Sequence, residues 1–176
     1  IKSQKKIIEE QKNKVDEKQK EILDSINYAK RIQSTILNNQ VVMKDAFSDY
    51  FILFKPKDIV SGDFYWAHRK ANYFYLAVCD STGHGVPGAI MSILNISSIE
   101  KAIEQGLNEP SEILNLTRKI IIERLKKDGS PEGGKDGMDV SLICFDFVNN
   151  KFSYSAANNP IWVIRQNLLI ELKPDK

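Results

Sequence analysis

Cysteine is scarce in this chain, two in 176 residues, and no CxxC spacing occurs. That excludes a disulfide framework and offers no zinc site. Cys79 closes the apolar run Tyr75, Leu76, Ala77, Val78, and Cys144 lies between Ile143 and Phe145. Both are expected to be small buried hydrophobes in a reducing compartment. Long hydrophobic runs are also missing. No apolar stretch approaches the roughly 18 residues of a membrane span, and no signal-peptide pattern is visible. This segment is therefore expected to be cytoplasmic, with no membrane partner. Excess charge of one sign is lacking too. With 25 Lys and Arg against 23 Asp and Glu the net charge is +2, so nothing argues for nucleic acid or an anionic surface. The chain opens on Ile1 instead of methionine and is expected to be a piece of something longer.

What is present is the balance of a folded protein, 42% hydrophobic and 27% charged. Residues 1–37 contain no Gly or Pro and are rich in Lys, Glu, Gln and Ile, which predicts a helix. Ile8, Val15, Ile22, Ala29 and Ile36 recur every seven residues, with Ile26 on the same face. That is a coiled-coil spacing, weakened by Lys12, Gln19 and Gln33 at the companion positions. Two readings stay open: a solvated helix that packs on its own domain, or a parallel homodimer helix carrying a signal from an upstream sensor. Asn38-Asn39 is the expected stop.

From Tyr50 the pattern turns to short aromatic and β-branched runs at 50–54, 64–68 and 73–80, which predict strands. Residues 88–106 read as a helix stopped by Gly106. A second helix follows from Pro110-Ser111, with Ser111 as its cap and a broad apolar face through Ile113, Leu114, Ile120 and Ile121. The stretch 129–137 is a Gly-rich charged loop. Strands are expected at 140–147 and 151–157 around an Asn149-Asn150 turn, then a hairpin around Gln166-Asn167. Strands, two helices, then strands indicate an α+β fold with antiparallel sheets.

Two acidic positions stand beside strand-like runs and close to glycine: Asp63 in DIVSGDFYW and Asp80 in LAVCDSTGHGVPGA. A carboxylate where a strand opens into a Gly-bearing loop is presented at the sheet edge, and Mg²⁺ or Mn²⁺ takes such hard oxygen ligands. Two carboxylates with a main-chain carbonyl help hold two metals that activate a bridging water for attack on phosphorus. Gly83 and Gly85 allow close backbone approach, and the following helix offers its N-terminus to an anion. Singly, each Asp reads more often as a turn former. Seventeen positions apart and joined by a strand-like run, they make a stronger signal.

PKDIVSGDFYW followed by VCDSTGHGVPGAIMS resembles the PPM family of metal-dependent phosphatases (protein phosphatase 2C-like), in the branch of the sporulation stage II protein E and bacterial stress-response phosphatases. DSINYAKRIQSTIL, KDGMDVSL and SAANNPIWVIR are similar to branch members that follow sensor regions. The resemblance implies two antiparallel sheets flanked by helices, with residues 1–40 as a helical linker or coiled coil and 45–176 as the phosphatase domain. It implies dephosphorylation of phosphoserine or phosphothreonine proteins by metal-activated water, with two Mn²⁺ or Mg²⁺ ions. Asp63 and Asp80 would be the catalytic residues and metal ligands, assisted by the main-chain oxygen of Ser81. The usual substrate in this branch is an anti-sigma factor antagonist.

Two further acidic motifs of the family, T-D-G or S-D-G and a late D-D-x-T, are not in this chain, so the domain is expected to lack its C-terminal part. Asp139 matches neither motif and is expected to be a surface or loop residue. His84 reads either as a proton donor or as a residue packed within the metal loop. His84, Gly85 and Asn158 are the expected substrate contacts, Asn158 through an Asn158-Asn159-Pro160 turn, and His68 is expected in a turn. Two rivals to the enzyme remain: a catalytically incomplete dimerisation and regulatory segment, and a phosphate-binding module built on STGHG. The latter is disfavoured because two nearby carboxylates repel phosphate without a metal.

Overall fold

The computed structural model describes residues 2–37, 40–126 and 136–174. The helix-favouring N-terminal composition forms α1 over Lys2–Ile36. Its expected stop at 38–39 lies outside the described residues, as does most of the Gly-rich loop at 129–137. A short α2, Gln40–Ala46, follows that the sequence did not announce. The expected strand at 50–54 does not form, and Phe51 is 91% exposed. Its aromatic and apolar residues suit a strand, but no neighbouring strand takes up its backbone groups.

Four strands form an antiparallel meander: β1 Phe64–Lys70, β2 Tyr73–Ser81, β3 Met138–Asp146 and β4 Lys151–Ala157, in that order across the sheet. Between β2 and β3 the chain forms α3, Gly85–Glu104, and α4, Pro110–Leu125. A separate two-stranded sheet pairs β5, Ile161–Arg165, with β6, Leu168–Leu172. The fold is thus α+β with two antiparallel sheets and a long N-terminal helix, as the sequence indicated. Both asparagine turns form. Asn150 adopts φ +52°, and Gln166 and Asn167 adopt +51° and +62°, the paired positive values of a type I′ hairpin turn. Gly106, at φ +90°, follows α3.

Side-chain alternation assigns the faces of the sheet. Phe64, Trp66, Tyr75, Ala77, Cys79, Val140, Leu142 and Cys144 meet Ile96, Ile99, Ile103 and Ile113 of the helices in the main core. Phe74 and Ala67 point the other way, onto Met43 and a smaller cluster with Phe47 and Phe145. Both cysteines are free and buried, as expected. Burial pushes the Cys79 thiol well up and the Cys144 thiol to about 11, so both are inert.

Two local expectations are corrected. Ser111 is not a cap: α4 begins at Pro110 after Glu109, without a side-chain cap, the proline's fixed φ suiting the first turn. His68 is not in a turn but on β1, its ring stacked 5.5 Å from that of Trp66. Along α1, Ile8, Val15 and Ile22 are 64%, 63% and 59% exposed, whereas Gln33 and Leu37 are buried against the domain.

Candidate functional site

The carboxylates meet where one end of the meander opens into loops. Phe64 pairs with Cys79, so the register carried one step outward sets Asp63 opposite Asp80. Asp80 pairs with Asp139 on the next strand. Val140 pairs with Ala157, so one step outward Asp139 faces Asn158. Asp63, Asp80, Asp139 and Asn158 therefore stand in a row across four adjacent chain segments. On β2, Asp80 shares the parity of Phe74, Leu76 and Val78, the face turned away from α3 and α4. Asn158 Nδ2 donates to Asp139 Oδ1 at 2.8 Å, and Asn158 holds φ +61°, which asparagine tolerates.

The reading of Asp139 as a surface or loop residue is corrected. It lies on β3, half-buried, directly opposite Asp80. The alternation of the following strand, carried back past Val140, would have placed it there.

Like charges directly opposite on paired strands are destabilising. Partial enclosure raises the Asp80 carboxyl above its ordinary value; the hydrogen-bonding contact and charge of Asp63 and the charge of Asp139 push the same way. Among the described residues the ion pairs are Lys18–Glu21 and His84–Asp58, so none of the carboxylates in the row is in an ion pair.

Three glycines set the loops beneath the row. A Cβ on Gly62 would lie 2.4 Å from the Gly83 oxygen and 3.1 Å from the Ser81 oxygen, and one on Gly88 would lie 2.4 Å from the Gly83 oxygen. The segment before Asp63 and the loop after Asp80 are thus in contact at a separation that only glycine permits. Gly83 turns at φ +88°. Ser81 is buried, and its Oγ accepts a bond from Asn95 Nδ2 at 2.9 Å. Thr82 N–H donates to the Gly137 oxygen at 3.0 Å, which ties this loop to the start of β3.

A groove of about 430 Å³ opens beside Asp63 and Asp80, which line it with Asn159, Lys55, Val78 and Phe51 among others. His84, Gly85 and Asn158, the expected substrate contacts, do not line it. His84 precedes α3 with its Nδ1 2.9 Å from Asp58 Oδ2. Asp58 was not singled out from the sequence, although it heads the same DIVSGD motif as Asp63.

The donor set fits a hard divalent cation: facing carboxylates in no ion pair among the described residues, with the Ser81 main chain beside them. Among the described residues no group of three His, Cys, Asp or Glu side chains converges to hold an ion alone. Asp63 and Asp80 would supply two ligands, and water or main-chain oxygen the others, as Mg²⁺ prefers.

Comparison with known proteins bears on the family and the fold. The family model described as stage II sporulation protein E (SpoIIE) matches residues 70–174. The phosphoserine phosphatase RsbU of Bacillus subtilis (strain 168) is 26% identical over 103 residues, 58% of this chain and 30% of RsbU. The structure of the SiaA-PP2C domain of Pseudomonas aeruginosa superposes with a TM-score of 0.78 at 33% identity, covering 89% of this chain and 61% of that one. The PP2C phosphatase domain of SpoIIE from Bacillus subtilis, with a fragment of its regulatory domain, shares the fold at TM-score 0.51 and 21% identity, over 66% of this chain and 32% of that one. The chain therefore spans under a third of the curated relative and about three fifths of the SiaA-PP2C structure.

Proposed function

We propose, from the premise that this chain belongs to the stage II sporulation protein E family of PPM-type phosphatases, that it removes phosphate from phosphoserine or phosphothreonine in proteins, using Mn²⁺ or Mg²⁺. The observation that carries this reading is the facing pair Asp63 and Asp80 at the mouth of the groove. Bound there, the ions would supply an activated water for in-line attack on phosphorus and charge stabilisation for the equatorial oxygens. Asp63 and Asp80 would hold the ions with the Ser81 main-chain oxygen. Asp139, fixed by Asn158, adds negative charge beside them. Lys55 and the apolar wall at Phe51 and Val78 receive the phosphorylated segment. His84, oriented by Asp58, and Gly85 meet the substrate from the loop side, and Asn158 from the opposite side.

The residue division follows the same reading, with 1–40 as a helical linker or coiled coil and 45–176 in the phosphatase domain. RsbU is a phosphoserine phosphatase by name, and an anti-sigma factor antagonist is the partner proposed here, in the cytoplasm, under control of an upstream sensor. No helix among the described residues is long and apolar enough to cross a membrane. The test is phosphate release from a phosphoserine peptide with Mn²⁺, with EDTA, and in Asp63→Asn. Release that survives EDTA would overturn the metal-dependent reading.

A second reading has its own observation, the exposed seam of α1: a segment whose work is dimerisation. A metal-independent dimer without turnover would favour it.

A further inference from the structure

Gln33 is the one companion position of the α1 seam that is buried, at 5% exposure. Its carboxamide engages both main-chain polar groups of Ser61: Nε2 donates to the Ser61 carbonyl oxygen at 2.6 Å, and Oε1 accepts from the Ser61 N–H at 3.1 Å. Nε2 also donates to Ser92 Oγ at 2.9 Å, whose hydroxyl donates to the Ala89 oxygen at 2.8 Å. A side-chain amide here stands in for a neighbouring strand, clasping an irregular backbone two residues before Asp63. Three segments distant in sequence meet at this amide: α1, the approach to β1, and α3.

The clasp has no slack on its far side. Gly62 follows Ser61, and a Cβ on it would come within 2.4 Å of the Gly83 oxygen; a Cβ on Gly88 would come within 3.0 Å of the Gly62 Cα. A shift of the Ser61 peptide is therefore passed to Gly62, and from there to the 81–85 loop that follows Asp80. A glutamine that merely satisfied its own polarity would need no bidentate hold on a main chain so close to the site.

We propose that Gln33 is a positioning residue for the metal-binding carboxylates, Asp63 directly and Asp80 through the Gly62–Gly83 contact. The inference rests on the metal-dependent reading above. Partners that orient metal ligands from behind typically change metal affinity by about 10–100-fold when removed.

The test uses the full-length protein. Gln33→Met keeps the volume and the apolar stem but neither bond to Ser61. Ser92→Ala removes the bond from Gln33 Nε2 and the hydroxyl's own bond to the Ala89 oxygen, leaves both bonds to Ser61 in place, and is the control for a purely structural role. Calorimetry with Mn²⁺ and melting of the metal-free protein are measured for both. Both variants are expected to melt slightly lower. Gln33→Met should bind Mn²⁺ about 10–100-fold more weakly, while Ser92→Ala stays near wild type. Turnover of Gln33→Met should recover at high Mn²⁺, so the defect lies in metal half-saturation and not in kcat. Wild-type affinity in Gln33→Met, or an equal loss in Ser92→Ala, would overturn the proposal. If Gln33→Met does not fold, Gln33→Glu takes its place; it keeps the acceptor for the Ser61 N–H and should bind Mn²⁺ more weakly than wild type. Wild-type protein without measurable Mn²⁺ binding is a different result, and it would overturn the metal-dependent reading itself.

Discussion

Asp80→Asn should make the metal-free protein more stable at neutral pH while removing its response to Mn²⁺. Asp80 stands between Asp63 and Asp139, and its carboxyl is raised above the ordinary value by enclosure and by those neighbours. A raised folded value means that the ionised form is the penalised one. The stability linked to this group is complete below the ordinary carboxylate range and is lost as pH rises through the raised value. At pH 7 the whole penalty is present, and asparagine, which cannot ionise, removes it. Opposed like charges on paired strands cost about 0.2–1 kcal/mol, and an exposed site belongs at the low end. For a domain of this size that is a rise in Tm of up to about 4 °C. The difference should shrink at pH 4 and vanish below the ordinary carboxylate range, where the carboxyl is protonated in both the folded and the unfolded chain. Mn²⁺ at a hundredfold its dissociation constant stabilises the wild type by about 2.7 kcal/mol, a rise of about 5–11 °C. Asp80→Asn should show almost none of it. Differential scanning calorimetry at pH 7 and pH 4, with and without Mn²⁺, reads all four values. A metal-free variant that melts below wild type at pH 7, or one that keeps the Mn²⁺-induced rise, would refute the reasoning.

Gly62→Ala should cost about 1–3 kcal/mol by denaturant midpoint, since its Cβ would meet the Gly83 oxygen at 2.4 Å. Gly137→Ala, with nothing within 4 Å of a Cβ, should stay within about 0.5 kcal/mol, and equal losses at both sites would remove the crowding argument. His84→Ala should raise KM for a phosphopeptide with little change in Mn²⁺ affinity. Asp58→Asn, which takes the charge out of the orienting bond, should raise it about 5-fold; an unchanged KM in both would take the pair out of the substrate site. Replacing Ile22 and Ile26 together by Lys should give a monomer by analytical ultracentrifugation, because about 1.5–3 kcal/mol per buried isoleucine is lost from the seam. A wild-type chain already monomeric at high micromolar concentration would show that α1 does not pair.

The strands at 64–70, 73–81, 138–146 and 151–157 were legible because their aromatic and β-branched composition is local, and the turn between the last two carries Asn150 at positive φ. Asp63 and Asp80 were legible as a pair because glycine flanks both. Residues 50–54 misled because strand-like composition says nothing about whether a neighbour exists to pair with. Asp139 and Asp58 were missed for a related reason. The importance of Asp139 comes from the β2–β3 register across an insertion of two helices, and that of Asp58 from a loop folding back on His84. Gln33 looked like a defect in a heptad because its partners, Ser61 and Ser92, are 28 and 59 positions away. Long-range hydrogen bonding leaves no periodicity to read.

The chain carries two tryptophans, and they sit in opposite settings. Trp66 is buried in the main core with its indole N–H on Glu100 at 3.2 Å, whereas Trp162 on β5 is 66% exposed. Emission should therefore divide into a blue component from the core and a red one from the β5–β6 hairpin, with iodide quenching only the red. A two-stranded hairpin is marginal by itself, and its opening need not wait for the core. Fluorescence melts recorded at the two edges of the band would then give different midpoints. A single-wavelength curve read as one transition would report a stability that belongs to neither part.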